Sequence, residues 1–149
     1  MQSTAFDQDG SKPMNVTFIT VNYKTLDFIR RCVTSLLSNY PSVPVLIIDN
    51  GSFDESTEYI QEVANQIENV NCILNKKNHH HGPALDQGIR TCATPYIFTL
   101  DSDCEILKPG FLEAMLTKAA KAKRIPYQRH AAPTATPTDA NPIQLTRAG

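Results

Sequence analysis

No run of apolar residues in the chain approaches the ~18 needed to cross a bilayer. No basic segment followed by an apolar one opens it either. Met1 to Gly10 is polar and carries Asp7 and Asp9, which argues against a secretory signal. Neither G-x-x-x-x-G-K-[ST] nor G-x-G-x-x-G occurs, which excludes a P-loop and the dinucleotide fingerprint. Cysteine is limited to Cys32, Cys72, Cys92 and Cys104, and no two form a C-x-x-C pair. Each lies in or beside an apolar segment, so they read as small core hydrophobes in a reducing cytoplasm rather than as a zinc site or a disulfide framework. No internal repeat is visible. Charged residues are sparse, at 19% of 149 residues against 41% hydrophobic. That balance at this length suits one soluble domain able to bury roughly 68–70% of the surface its unfolded chain exposes.

The formal net charge of −1 conceals an asymmetry. Residues 118–149 hold six basic groups (Lys118, Lys121, Lys123, Arg124, Arg129, Arg147) and the single acid Asp139. The remaining eight basic and fourteen acidic groups lie in residues 1–117. An acidic globular part is a poor partner for nucleic acid, because phosphate contacts need a basic face. The basic end suits a solvated tail, or a contact with nucleic acid or with acidic lipid at the inner membrane face.

Strand and helix patterns alternate after a loose leader over residues 1–15. Val16 to Val21 is a β-branched run of strand length. Leu26, Ile29, Val33, Leu36 and Leu37 recur at helical spacing over about 25–38. Val45 to Ile48 is continuously apolar, as in a strand buried on both faces. Ser52 and Glu55 have capping-box spacing ahead of a stripe of Tyr59, Ile60, Val63, Ala64 and Ile67. Val70 to Leu74 is a third strand, and Asn78 to Pro83 a histidine-rich loop. Ala84, Leu85, Gly88, Ile89 and Cys92 form a third helical stripe, and Tyr96 to Leu100 a fourth strand. Pro109 suits the first turn of a last helix, whose apolar face is Phe111, Leu112, Met115, Leu116 and Ala119. Periodicity fails after about residue 121. Four prolines then occur among Ala, Thr and Gln (Pro126, Pro133, Pro137, Pro142), so residues 122–149 read as an irregular tail.

Four βα units in succession predict an α/β fold with an open, parallel, doubly wound sheet spanning residues 16–121. Ligands of such sheets bind outside the carboxyl ends of the strands. That edge comprises Val21-Asn22-Tyr23, Asp49-Asn50, Asn75 onward and Asp101-Ser102-Asp103. Polar or acidic groups end three of the four strands, so the edge is expected to attract cations. Asp101 and Asp103 are spaced i, i+2, which in extended backbone turns both carboxylates to one side. A hard divalent ion, Mg²⁺ or Mn²⁺, suits such a pair, since it takes one or two carboxylates plus substrate phosphates. The same spacing also suits a solvated acidic turn. Asp49 can accept from a planar base or a ribose hydroxyl, or simply form a turn with Asn50-Gly51. The run His79-His80-His81 lacks a second ligand cluster at metal spacing, so a substrate-facing loop role and plain exposure both stay open.

With these residues assembled, the chain resembles the family 2 glycosyltransferases of GT-A fold. The resemblance lies in VTFITVNYKTLDFIRRCVTSLL, VLIIDNGSFDEST, NHHHGPALDQGIRTC and YIFTLDSDCEILKPGFLEAML, which together cover about residues 16–117. It implies that Val21, Asn22 and Tyr23 line the nucleobase and that Asp49 contacts it. It adds Asn78 and Asp101 to the nucleotide contacts, and makes Asp101 and Asp103 the D-x-D that holds Mn²⁺ or Mg²⁺. The implied donor is a UDP-, GDP- or dTDP-sugar, and the implied acceptor a glycan or lipid hydroxyl.

Two departures stand out. Where the family often has N-x-G-x-x-x-A-x-N-x-G, His80 replaces the first Gly and Asp86 the second Asn. The family's acceptor half and acidic general base lie downstream of D-x-D, where this chain offers only the tail with Asp139. The expectation is therefore a truncated chain, or one ending in sequence foreign to the family. It would be a glycosyltransferase if completed by another segment, or a nucleotide-sugar-binding module without transferase activity. A receiver-like signalling domain would want acidic residues after the first strand, where Asn22 and Tyr23 stand.

Overall fold

The computed structural model describes residues 14–122. The expected leader, up to residue 13, and the expected tail, from residue 123, lie outside the described residues. Eight elements alternate as β1 (Val16–Asn22), α1 (Leu26–Asn39), β2 (Val45–Asp49), α2 (Glu55–Gln66), β3 (Val70–Leu74), α3 (His81–Thr91), β4 (Tyr96–Thr99) and α4 (Phe111–Lys121). All strand pairs are parallel, in the order β3-β2-β1-β4. Chain order thus runs outward from β1 through β2 to β3 and then crosses to the other side of β1. The reversal opens a crevice between the ends of β1 and β4, the usual ligand position in such sheets.

The burial of each strand follows from its place. β1 is central and all seven of its residues are buried, which explains its unbroken apolar and threonine run. β2, also internal, is buried throughout. β3 is an edge strand and exposes Asn71 and Leu74. Phe18 and Ile47 face one side of the sheet, with Ile29, Val33 and Leu36 of α1, Ile60 of α2 and Leu112 of α4. Ile19, Val21, Leu46 and Ile48 face the other side, covered by Ala84, Leu85 and Ile89 of α3. Full burial of one such side chain contributes about 1.5–3 kcal/mol. Gly88 lets α3 lie close to the sheet, since a Cβ there would meet Ile48 Cδ1 at 2.7 Å and Ile19 Cγ2 at 3.1 Å.

Four rings close a circuit under α4. Phe18 stacks against Tyr40 and Phe98, and Phe111 against the same two, with centroids 5.5 to 5.7 Å apart. Tyr40 also caps α4. Its phenol oxygen accepts from Gly110 N at 2.9 Å and Leu112 N at 3.3 Å, and its hydroxyl donates to Glu113 at 3.2 Å. This satisfies two of the orphan donors at the helix start. Pro109 therefore precedes α4 instead of opening it, and Gly110, at φ 105, is the cap residue.

Three other expectations are corrected. Asp54, not Ser52, caps α2: its carboxylate accepts from Ser56 N at 3.0 Å, while Ser52 is drawn into the site described below. The histidine loop is shorter than expected, because His81, Gly82 and Pro83 form the first turn of α3. The four cysteines are free thiols, but only Cys32 is fully in the core; Cys72 and Cys92 are half-buried and Cys104 is exposed. Among the described residues, no helix is long and apolar enough to cross a membrane.

Candidate functional site

Four loops meet at the carboxyl edge of the sheet. They follow β1 (Tyr23 to Thr25), β2 (Asn50 to Asp54), β3 (Asn75 to His80) and β4 (Leu100 to Gly110). Among the described residues, the non-glycine residues with positive φ are Lys24 (56°), Phe53 (51°) and His80 (65°), one in each of the first three loops. Such conformations cost of order 1–3 kcal/mol each and persist only where surrounding contacts fix them. Two hydrogen-bonded networks provide those contacts for Lys24 and His80.

The first network centres on Asn22 and Asp49, neighbours in the β1–β2 register. The Asn22 amide nitrogen donates to Asp49 Oδ1 at 2.9 Å, to Ser56 Oγ at 2.8 Å and to Ser52 Oγ at 3.2 Å. Its oxygen accepts from Thr25 Oγ1 at 2.8 Å. Asp49 further accepts from the Ser52 hydroxyl, from Ser52 N at 3.4 Å and from Thr57 Oγ1 at 2.8 Å. All four acceptor positions of its carboxylate are thereby in use. Lys24 N donates to Ser52 Oγ at 2.9 Å, which locks the strained Lys24. Asn22 and Asp49 are 0% and 1% exposed, so these expected contact residues lie beneath the edge and hold its loops. Val21 points into the core against α3. Tyr23 is 42% exposed, with Lys24 Nζ 5.4 Å above its ring.

Asn50 anchors the second network. Its amide donates to Asn78 Oδ1 at 3.0 Å and to His80 O at 3.2 Å, and its oxygen accepts from Asn75 Nδ2 at 3.2 Å and His79 N at 3.1 Å. Asn78 Oδ1 also accepts from His80 N at 2.7 Å, a local turn that bends the chain into α3. Gly51 seals the same junction. At φ 79 its α-carbon lies so near the next loop that a Cβ would meet Lys77 C at 2.7 Å. His80 thus stands in a conformation that glycine adopts most readily, at the position where it replaces a glycine of the resembling motif. Asp86, the second departure, pairs with Arg90 at 2.6 Å on α3.

The D-x-D segment differs from the extended geometry expected of it. Cys104 N donates to Asp101 O at 3.0 Å, so Asp101 to Cys104 is a tight turn. Asp101 and Asp103 are both exposed. Leu100 N closes the β-ladder on Ile19 O at 2.9 Å, and Thr25 Oγ1 lies 3.5 Å from Ser102 Oγ across the β1–β4 crevice. His81 Nε2 is 3.8 Å from Asp101 Oδ1. Among the described residues, no three His, Cys, Asp or Glu side chains are grouped to hold a metal. The protein therefore offers an exposed oxygen-donor pair, which suits a hard cation only in company with ligand phosphates and water. The edge also carries cations, Lys24, Lys76 and Lys77, which the expectation of an acidic edge passed over.

The edge was legible in the sequence, with Asn75 on it and Ser52 read as a cap, but the supports Thr25, Ser56 and Thr57 under the first two loops and Gln87, joined to Asn75 at 3.0 Å, under the third were not. Short hydroxyl and amide side chains near strand ends were the available signal. Burial pushes the Cys32 thiol up to about 12, so it is inert behind the D-x-D turn.

Comparison with known proteins agrees with this architecture. The chain is 28% identical over 105 residues to the putative glycosyltransferase EpsH of Bacillus subtilis, covering 70% of this chain and 30% of that one. Its fold is similar to S. aureus TarS in complex with UDP-GlcNAc (TM-score 0.57, 18% identity, 72% of this chain and 30% of that one). It is similar also to the mannosyltransferase PcManGT of Pyrobaculum calidifontis in complex with GDP-Man and Mn²⁺ (TM-score 0.54, 16% identity, 60% and 27%). The chain spans about a third of the length of the curated relatives it matches. The model of glycosyl transferase family 2 matches residues 17–144, well past the point where periodicity fails. The chain belongs to glycosyl transferase family 2.

Proposed function

We propose that the described residues form the donor-binding half of a glycosyltransferase, which takes a nucleoside diphosphate sugar at the carboxyl edge of the sheet. The observation that supports this most is the exposed Asp101–Asp103 pair at the end of β4, beside the crevice where strand order reverses. Tyr23 and the exposed side of the Asn50–Asn78 junction line the nucleoside. Asn22 and Asp49 act from beneath by fixing the loops that carry those groups.

Asp101 and Asp103 would hold Mn²⁺ or Mg²⁺ together with the diphosphate. The ion, when bound, neutralises charge on the departing diphosphate. The complexes of TarS with UDP-GlcNAc and of PcManGT with GDP-Man and Mn²⁺ support the ligand class. In the full reaction an acceptor hydroxyl of a glycan or lipid attacks the anomeric carbon, and the nucleoside diphosphate leaves. We assign no general base within residues 14–122. The free thiols suit a reducing compartment such as the cytoplasm.

Calorimetric binding of UDP, GDP and dTDP, each with Mn²⁺ and with EDTA, tests the reading. One nucleotide should bind in a metal-dependent way. Asp103→Ala should remove the metal dependence without lowering the melting temperature, because the side chain is exposed. Equal affinity with Mn²⁺ and with EDTA in the unaltered chain refutes the proposal.

A further inference from the structure

We propose that His81 is the phosphate-binding residue of this donor site, its Nε2–H donating to a diphosphate oxygen when Asp101 and Asp103 engage the cation. The inference rests on the donor-site reading above and names which member of the histidine run serves it.

His81 is the one of the three histidines that the fold brings to the D-x-D turn. Its Nε2 stands 3.8 Å from Asp101 Oδ1, and the two side chains are 61% and 72% exposed. That separation is too long for a hydrogen bond. The donor is therefore beside the carboxylate without being committed to it, and it faces solvent where a ligand would enter. A phosphate bound at the Asp101–Asp103 turn would come within reach of this nitrogen donor, which has no hydrogen bond to the carboxylate to give up.

The position is imposed from outside the residue. Asn50 accepts from His79 N and donates to His80 O, and Asn78 accepts from His80 N. Gly51 packs its backbone on Lys77 and Asn78. These contacts hold His80 at φ 65 and so fix where the chain enters α3, whose first residue is His81. The backbone of His79 and His80 is thus held by side chains of the neighbouring loop and of Asn78, which fixes a strained φ directly before His81. The remaining cations of the edge are less suited. Lys24 Nζ lies over the Tyr23 ring, and the backbone of Lys77 is packed against Gly51 of the preceding loop.

The test uses the full 149-residue chain and its His81→Ala, His81→Gln and His79→Ala variants. Calorimetry follows Mn²⁺ alone, then UDP, GDP and dTDP in saturating Mn²⁺, and thermal unfolding is recorded beside it. His81→Ala should weaken binding of the preferred nucleotide about tenfold or more, as expected for a lost hydrogen bond to a charged group. His81→Gln, which keeps an N–H donor, should recover most of that loss, and His79→Ala should bind within about twofold of the unaltered chain. Melting temperatures and affinity for Mn²⁺ alone should not change. Nucleotide binding by His81→Ala equal to that of the unaltered chain overturns the inference and leaves the donor site standing. So does an equal loss for Mn²⁺ alone, which would make His81 a partner of the metal site. If the unaltered chain binds none of the three nucleotides, the donor-site reading falls and this inference with it.

Discussion

Asn22 and Asp49 face each other across the β1–β2 register, with the amide nitrogen of one 2.9 Å from a carboxylate oxygen of the other, both wholly inside the protein. The pair ties the first two ligand-edge loops to the sheet. Asn22→Asp would set two carboxylates against each other, and one must then keep its proton. A folded-state pKa raised above the unfolded value means that the native state binds more protons, so stability falls as pH rises. Urea unfolding between pH 4 and pH 8 should show Asn22→Asp losing stability steadily relative to the unaltered chain. Asn22→Ala should instead lose roughly 1–3 kcal/mol at neutral pH by leaving Asp49 short of a donor. A flat pH profile for Asn22→Asp would contradict the geometry.

Tyr40→Phe keeps the four-ring circuit and deletes the cap of α4. The expected cost is about 1–2 kcal/mol, since Gly110 N and Leu112 N lose their acceptor. Hydrogen exchange should accelerate at Gly110 and Leu112 and stay unchanged in α1. Tyr40→Ala should cost roughly 3–5 kcal/mol, because the ring circuit is lost as well. Equal stability of the Phe variant and the unaltered chain would show that water replaces the phenol without penalty.

Asp54 has its carboxyl held below the ordinary carboxylate range, chiefly by the Ser56 hydroxyl and with help from the Ser56 and Thr57 N–H groups. A depressed folded value contributes stability above the unfolded pKa, and the contribution disappears as pH falls through the folded value. Asp54→Asn, still a good cap, should therefore be less sensitive to acid below about pH 4 than the unaltered chain. Acid titrations of the two followed by circular dichroism that superimpose would remove Asp54 from the account.

Thiol labelling should separate the four cysteines. Cys104 is exposed and should react first with a neutral reagent such as iodoacetamide, though slowly, because desolvation and the nearby Asp103 and Asp101 raise its pKa. Cys72 and Cys92, also raised by burial, should follow. Cys32 should stay unmodified until the protein unfolds. Native-state modification of Cys32 at the rate of Cys104 would be inconsistent with the packing of α1.

The alternation of strands and helices was legible because β1 and β2 are buried on both faces and the helices each on one, so hydrophobic spacing alone revealed them. The binding edge followed from topology. Features depending on competition between partners were not legible. Ser52 and Asp54 are both good cap residues by type, and only the arrival of Asp49 beside Ser52 decides that Asp54 takes the role. The turn at Asp101 likewise depends on a backbone bond from Cys104 that no spacing reveals. Tyr40 reads as an ordinary residue at a helix end until the chain returns seventy positions later to set Gly110 against it. His80 carried a signal in its own right: a residue standing where a resembling motif has glycine marks a left-handed backbone that neighbours must enforce.

The contact of Gly51 with Lys77 bears on where the chain tolerates added length. Two loops whose backbones touch cannot be lengthened independently, because an insertion between Asn50 and Phe53 would displace Asn78 and the start of α3 with it. The stretch between β4 and α4 behaves differently. It is pinned at Ile106, whose N–H donates to Ser35 and whose carbonyl accepts from Asn39, and again at Gly110. Between those pins Leu107 is 89% exposed and Lys108 is exposed as well. A reporter peptide or fluorophore site belongs there, where extra residues can loop into solvent without pulling on either network.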